Sequence, residues 1–85
     1  MAKIMWSQTA VRDMAQLEKG IARRIIAKIE AAAQNPNHFF EKLTGIDEVK
    51  LRVGDYRVIA QLLRGGEAII IERVGHRKKI YKGLD

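Results

Sequence analysis

Val49-Lys50-Leu51-Arg52-Val53-Gly54-Asp55-Tyr56-Arg57-Val58-Ile59-Ala60-Gln61-Leu62-Leu63 decides how this chain folds. Val49, Leu51 and Val53 alternate with Lys50 and Arg52, the period-two pattern of a half-buried strand. Gly54-Asp55 is a two-residue hairpin turn, because glycine reaches the positive φ that such turns require. A second strand then runs from Tyr56 to Leu63. The turn sets the register: Val53 faces Tyr56, Arg52 faces Arg57, Leu51 faces Val58, and Lys50 faces Ile59. Val49, Leu51, Val53, Val58, Ala60 and Leu62 form an apolar side suited to cover helices. Lys50, Arg52 and Arg57 share the other side.

Downstream, Gly65-Gly66 turns into Ala68-Ile69-Ile70-Ile71-Glu72-Arg73-Val74. A two-residue loop there puts Ile69 and Ile71 on the apolar side. One bulged residue reverses such an assignment, so Arg73 is given no side. The tail Gly75-His76-Arg77-Lys78-Lys79-Ile80-Tyr81 reads as the end of the sheet.

Upstream, residues 3–6 read as a short strand. Ser7 or Thr9 caps a first helix carrying Ala10, Val11, Met14 and Leu17 at helical spacing, up to Lys19-Gly20. Ile21, Ile25, Ile29 and Ala32 stripe a second helix, widened by Ala22, Ile26 and Ala33. Asn35-Pro36-Asn37 stops it, since Pro36 cannot continue the hydrogen-bond ladder. The expected fold is α+β: a short N-terminal strand, then a two-helix hairpin on one face of an antiparallel sheet of about four strands, then a basic tail.

The chain has 85 residues, enough for a single domain spanning 1–85. No apolar run approaches the ~18–20 residues of a membrane span, and Met1 to Trp6 lacks the apolar region of a signal peptide. A cytoplasmic protein is expected. With no cysteine and two histidines, thiolate catalysis is excluded and zinc knuckles are not expected. The net charge of +6 is unevenly placed. Residues 1–49 hold seven Lys/Arg against six acids, whereas residues 50–82 hold nine against three. A one-sided basic surface suits a phosphate-rich or acidic partner; a solvated face that keeps the protein in solution is the plainer alternative. Arg52 opposite Arg57 sharpens the first reading. Like charges on a cross-strand pair repel, and either a nearby carboxylate, with Glu48 and Glu72 available, or a bound phosphate relieves them.

Two segments, Leu51-Arg52-Val53-Gly54-Asp55-Tyr56-Arg57-Val58 and Val74-Gly75-His76-Arg77-Lys78-Lys79-Ile80-Tyr81, resemble the RelE/ParE toxin superfamily, and within it the RelE branch. The resemblance implies a ribosome-dependent endoribonuclease, an mRNA interferase that blocks translation and is neutralised by a RelB-like antitoxin. RNA brings its own nucleophile, the 2′-hydroxyl beside the scissile phosphate, so no cofactor or metal is implied. By resemblance, Lys50 is the candidate general base or proton relay, Arg57 holds the scissile phosphate, Arg77 stabilises the transition state, and Tyr81 stacks on the nucleotide. An ordinary lysine is protonated at neutral pH, so proton removal by Lys50 calls for cations such as Arg52, Arg57 and Arg77 close by. Arg52, His76, Lys78, Lys79 and Lys82 would contact RNA. Some members carry a second lysine where this chain has Glu48, and others use a glutamate as base. Trp6 reads as core or as antitoxin surface. A ParE-like toxin acting on DNA gyrase and a non-catalytic basic binding module are the alternative readings.

Overall fold

Ser7 ties the two ends of the chain together. In the computed structural model, which describes residues 2–43 and 48–80, its hydroxyl accepts a hydrogen bond from the Ala10 N–H at 3.0 Å and donates one to the Glu72 carbonyl at 2.9 Å. The first contact caps helix α1 (Gln8–Ala15). The second anchors that helix to strand β5 (Ala68–His76). Satisfying one of the otherwise unpaired N–H groups of a helix start is worth about 1 kcal/mol.

The sheet has five strands in the order β1-β5-β4-β3-β2. Strand β1 (Lys3–Trp6) runs parallel to β5, with Ile4 beside Ile69 and Trp6 beside Ile71. Strands β3 (Val49–Val53) and β4 (Tyr56–Leu63) form the hairpin read from the sequence, Arg52 facing Arg57 and Val53 facing Tyr56. Gly54 takes φ +61°, the conformation that favours glycine at this turn.

The α+β expectation therefore holds, with differences in detail. The sheet is mixed, because the N-terminal strand pairs parallel to β5, and a two-residue strand β2 (Glu41–Lys42) adds the fifth member beside β3. Two residues carry too little pattern to be seen in sequence. Pro36 stops helix α2 (Lys19–Ala32) and then opens a single helical turn, α3 (Pro36–Phe39), a position where its missing N–H costs nothing. The tail is more ordered than expected: β5 continues through His76, and Arg77–Ile80 forms a last helical turn, α4.

Strand β5 also contains a bulge. Ile59 pairs with Arg73 and Ala60 with Ile71, leaving Glu72 unmatched. Before the bulge, Ile69 and Ile71 face the core; after it, Arg73 and Gly75 stand on the outer side with Ile59 and Arg57. The core lies between the helices and the inner side. Ala10, Ile25, Ile29, Ala32 and Ala33 pack there against Leu51, Val58, Ile69, Ile71 and Val74. Phe39 and Leu63 are exposed, as are two residues of the longer helices: Ile26 on α2, 40% exposed, and Val11 on α1, 54% exposed. Val11 and Ile26 line a shallow apolar groove with Trp6 and Met14.

Candidate nucleic-acid interface

The outer side of the β3–β4 hairpin carries Lys50, Arg52 and Arg57, as the register requires. Their environments differ sharply. Arg52 is exposed and Lys50 half-buried, whereas Arg57 is only 7% exposed. Its Nη1 donates to the carbonyls of Gly54 and Tyr56, both at 2.9 Å. Carbonyl dipoles, and not Glu48 or Glu72, thus hold this guanidinium. They fix its position and leave its full positive charge for an anion.

Helix α4 folds back beside this cation. The Arg77 N–H donates to the Asp55 carbonyl at 2.9 Å, tying the start of α4 to the hairpin turn. Ile80 is buried and packs over Gly75, the residue opposite Arg57 on β5. Arg77, Lys78 and Lys79 remain exposed. The fold thereby brings Arg77 to the end of the hairpin that carries Arg52 and Arg57. Tyr81 and Lys82 lie outside the described residues.

Lys50 meets a carboxylate: its Nζ lies 4.0 Å from Glu41 Oε2 on β2. Beyond it, the bulge residue Glu72 hydrogen-bonds with Glu48. Burial, that hydrogen bond and the Glu48 charge push the Glu72 carboxyl up to about 7. A second carboxylate this close disfavours the charged form of Glu72, as burial does.

His76 is not on this face. It pairs with Tyr56, on the helix-facing side of the sheet, and the two rings meet edge to face with centroids 5.6 Å apart. Its Nδ1 accepts the Lys78 N–H at 3.2 Å. The bulge and the alternation of β5 therefore separate it from Lys50 and Arg57.

Sequence reading missed Arg24 and Lys28. Spaced one turn apart on α2, they line a groove of about 360 Å³ with Arg52, floored by Ala27 and Ala31. The chain up to Val49 looks electrically balanced when charges are counted along it, and only packing brings two of its cations to the hairpin. Their i, i+4 spacing on one helix face was the available signal.

The family model described as the ParE toxin of type II toxin-antitoxin systems, parDE, matches residues 4–81. Toxin RelE3 of Methanocaldococcus jannaschii is 34% identical, over 93% of this chain and 94% of its own. The fold is also that of solved structures. The RelB-RelE antitoxin-toxin complex from Methanococcus jannaschii contains a chain 31% identical, with TM-score 0.73, over 95% of this chain and 99% of its own. The RelBE2 toxin-antitoxin complex of Mycobacterium tuberculosis gives TM-score 0.81 at 22% identity, over 89% of this chain and 98% of that one. Shared sequence over nearly the whole length, on the same fold, places this chain in the RelE/ParE superfamily as a RelE-family toxin of a type II toxin-antitoxin system.

Proposed function

We propose that this toxin is an endoribonuclease that cleaves mRNA on the ribosome and so inhibits translation. The observation that carries this reading is the buried Arg57 guanidinium, held by two carbonyls and flanked by Arg52 and the start of α4. A cation fixed in this way meets a phosphate without reorganising, the condition under which electrostatic stabilisation is most effective.

The reaction forms a bond from the 2′-oxygen to phosphorus and breaks the bond from phosphorus to the 5′-oxygen. It leaves a 2′,3′-cyclic phosphate and a 5′-hydroxyl. Arg57 holds the scissile phosphate, and Arg52 the adjoining backbone. Arg77 neutralises charge on the departing 5′-oxygen, which takes up its proton from water. Lys50, beside Glu41, acts as an ammonium on the developing phosphorane. The Glu72 carboxyl, pushed up to about 7, is the better proton acceptor for the 2′-hydroxyl. Tyr81 is proposed to stack on the nucleotide and Lys78, Lys79 and Lys82 to hold RNA backbone.

The structural relatives quoted above are complexes with RelB. A small acidic RelB-like antitoxin is proposed as partner here, with the groove of Trp6, Val11, Met14 and Ile26 as part of its landing surface. Co-purification of an acidic protein from the two-gene pair tests that partner; a toxin that is stable and harmless when expressed alone refutes it.

Primer extension on mRNA from translating extracts tests the activity. New codon-linked 5′ ends should appear with the wild type and fall by about 10²–10³-fold with Arg77→Ala. Growth arrest with intact transcripts would overturn the reading, and inhibited DNA supercoiling in the same cells would point to gyrase instead.

A further inference from the structure

A cleft of about 320 Å³ opens at the edge of β5 that β1 leaves uncovered. Gln16 at the end of α1, Tyr56 at the start of β4, Arg73 and His76 of β5, and Lys79 of α4 all line it. Its size falls at the lower end of the ~300–1,000 Å³ typical of small-ligand sites. Of the phosphate-handling residues proposed above, Lys79 lines it, whereas Lys50, Arg52, Arg57 and Arg77 do not; Tyr56 and His76 face the opposite side of the sheet from Arg57.

We propose that this cleft holds one nucleotide of a bound RNA strand, its base against Tyr56 and His76 and its phosphate at Arg73 and Lys79. The proposal rests on the RNA-cleaving reading and extends it to the flanking nucleotide. Three observations carry it. First, the edge-to-face pair of Tyr56 and His76 gives the cleft an aromatic wall, the surface on which bases of any sequence stack. Because His76 Nδ1 already accepts the Lys78 N–H, Nε2 is the ring nitrogen left to meet a ligand. Second, Arg73 has a fixed geometry: its Nε donates to Asp13 Oδ2 at 3.1 Å. Among the described residues its Nη atoms have no hydrogen-bond partner, so they remain for a phosphate. Asp13, which also lines the cleft and accepts the Val74 N–H at 2.9 Å, offsets part of the Arg73 charge, so Lys79 supplies the second cation for the anion. Third, Arg73 stands on the outer side by register, beside Ile59, yet reaches round the β5 edge to α1. It joins the basic face to the cleft, which gives a strand crossing Arg57 a continuous path. Gln16, exposed at the rim, offers both a donor and an acceptor to the edge of a base.

The test is an NMR titration of the full chain with 5′-AMP, 5′-CMP, ribose 5-phosphate and inorganic phosphate. Both nucleotides should shift the Tyr56 and His76 ring resonances and the Gln16 side-chain amide. Ribose 5-phosphate and phosphate should leave the rings unmoved and bind at least about five-fold more weakly. For a short single-stranded RNA, Lys79→Gln should lower the salt-dependence slope by about one. Tyr56→Leu should weaken binding about five-fold or more. Since Tyr56 also packs on the core, Gln16→Ala, at an exposed position, supplies the second readout by altering the ratio of AMP to CMP binding. Nucleotides that perturb only Lys50, Arg52 and Arg57 overturn the proposal. So does phosphate that shifts the rings as much as nucleotide does. Nucleotide in the cleft without mRNA cleavage removes the nuclease reading and keeps the site; cleavage with an empty cleft does the reverse.

Discussion

Arg57 and Gly75 face each other across β4 and β5, and Ile80 packs over the space where Gly75 has no side chain. A Cβ at Gly75 would sit 3.5 Å from Ile80 Cβ, an ordinary contact. Gly75→Ala should therefore stay within about 0.5 kcal/mol of the wild type. Gly75→Val should push Ile80 off the sheet at a cost of about 1–3 kcal/mol and uncover Arg57. Denaturant unfolding, together with hydrogen exchange of the Arg57 side-chain N–H groups, checks both halves. An unchanged exchange rate in Gly75→Val would show that α4 does not shield this cation.

Asp13 fastens α1 to β5 beyond the end of β1, through the Val74 N–H and Arg73 Nε. Removing it leaves a backbone donor without its partner. Asp13→Ala should destabilise the chain by about 1–3 kcal/mol, measured as a lower urea midpoint. Asp13→Asn keeps one acceptor oxygen and should lose less.

Arg52 and Arg57 are like charges at directly opposed positions. Replacing Arg52 with Thr removes that repulsion and should raise stability by a few tenths of a kcal/mol. It should also weaken RNA binding and lower the salt-dependence slope by about one. Opposite signs for the two effects distinguish a functional cation from a merely solvated one.

The Glu72 carboxyl, raised from 4.5 to about 7, makes stability depend on pH. Between those values the folded chain holds a proton that the unfolded chain has released. Stability should therefore fall as pH rises through this window and level off above it. Glu72→Gln should flatten the curve. The variant should gain about 1 kcal/mol over the wild type at pH 8, a figure kept small because Glu72 is only half-buried, and nothing at pH 4. Thermal unfolding across the range shows whether the slope disappears.

Local chemistry wrote much of this fold into the sequence. Gly54-Asp55 and the alternation on either side of it determined the β3–β4 register, because a two-residue turn permits only one pairing and period two then sorts every side chain. The same arithmetic put Lys50, Arg52 and Arg57 on one face. The stripe of Ile25, Ile29 and Ala32 marked the buried side of α2, and Pro36 marked where that helix stops. Long-range packing decided the rest. Whether β1 would pair with β5, and in which direction, depends on contacts more than sixty residues apart. The bulge at Glu72 reverses every later side chain of β5, sending Gly75 to Arg57 and His76 to Tyr56, and nothing within the strand announces it. The cations of α2 reach the hairpin only because the helix lies over it. Arg57, which sequence leaves indistinguishable from its exposed neighbour Arg52, is buried in the folded chain, where β5 brings Gly75 opposite it and Ile80 packs over that glycine.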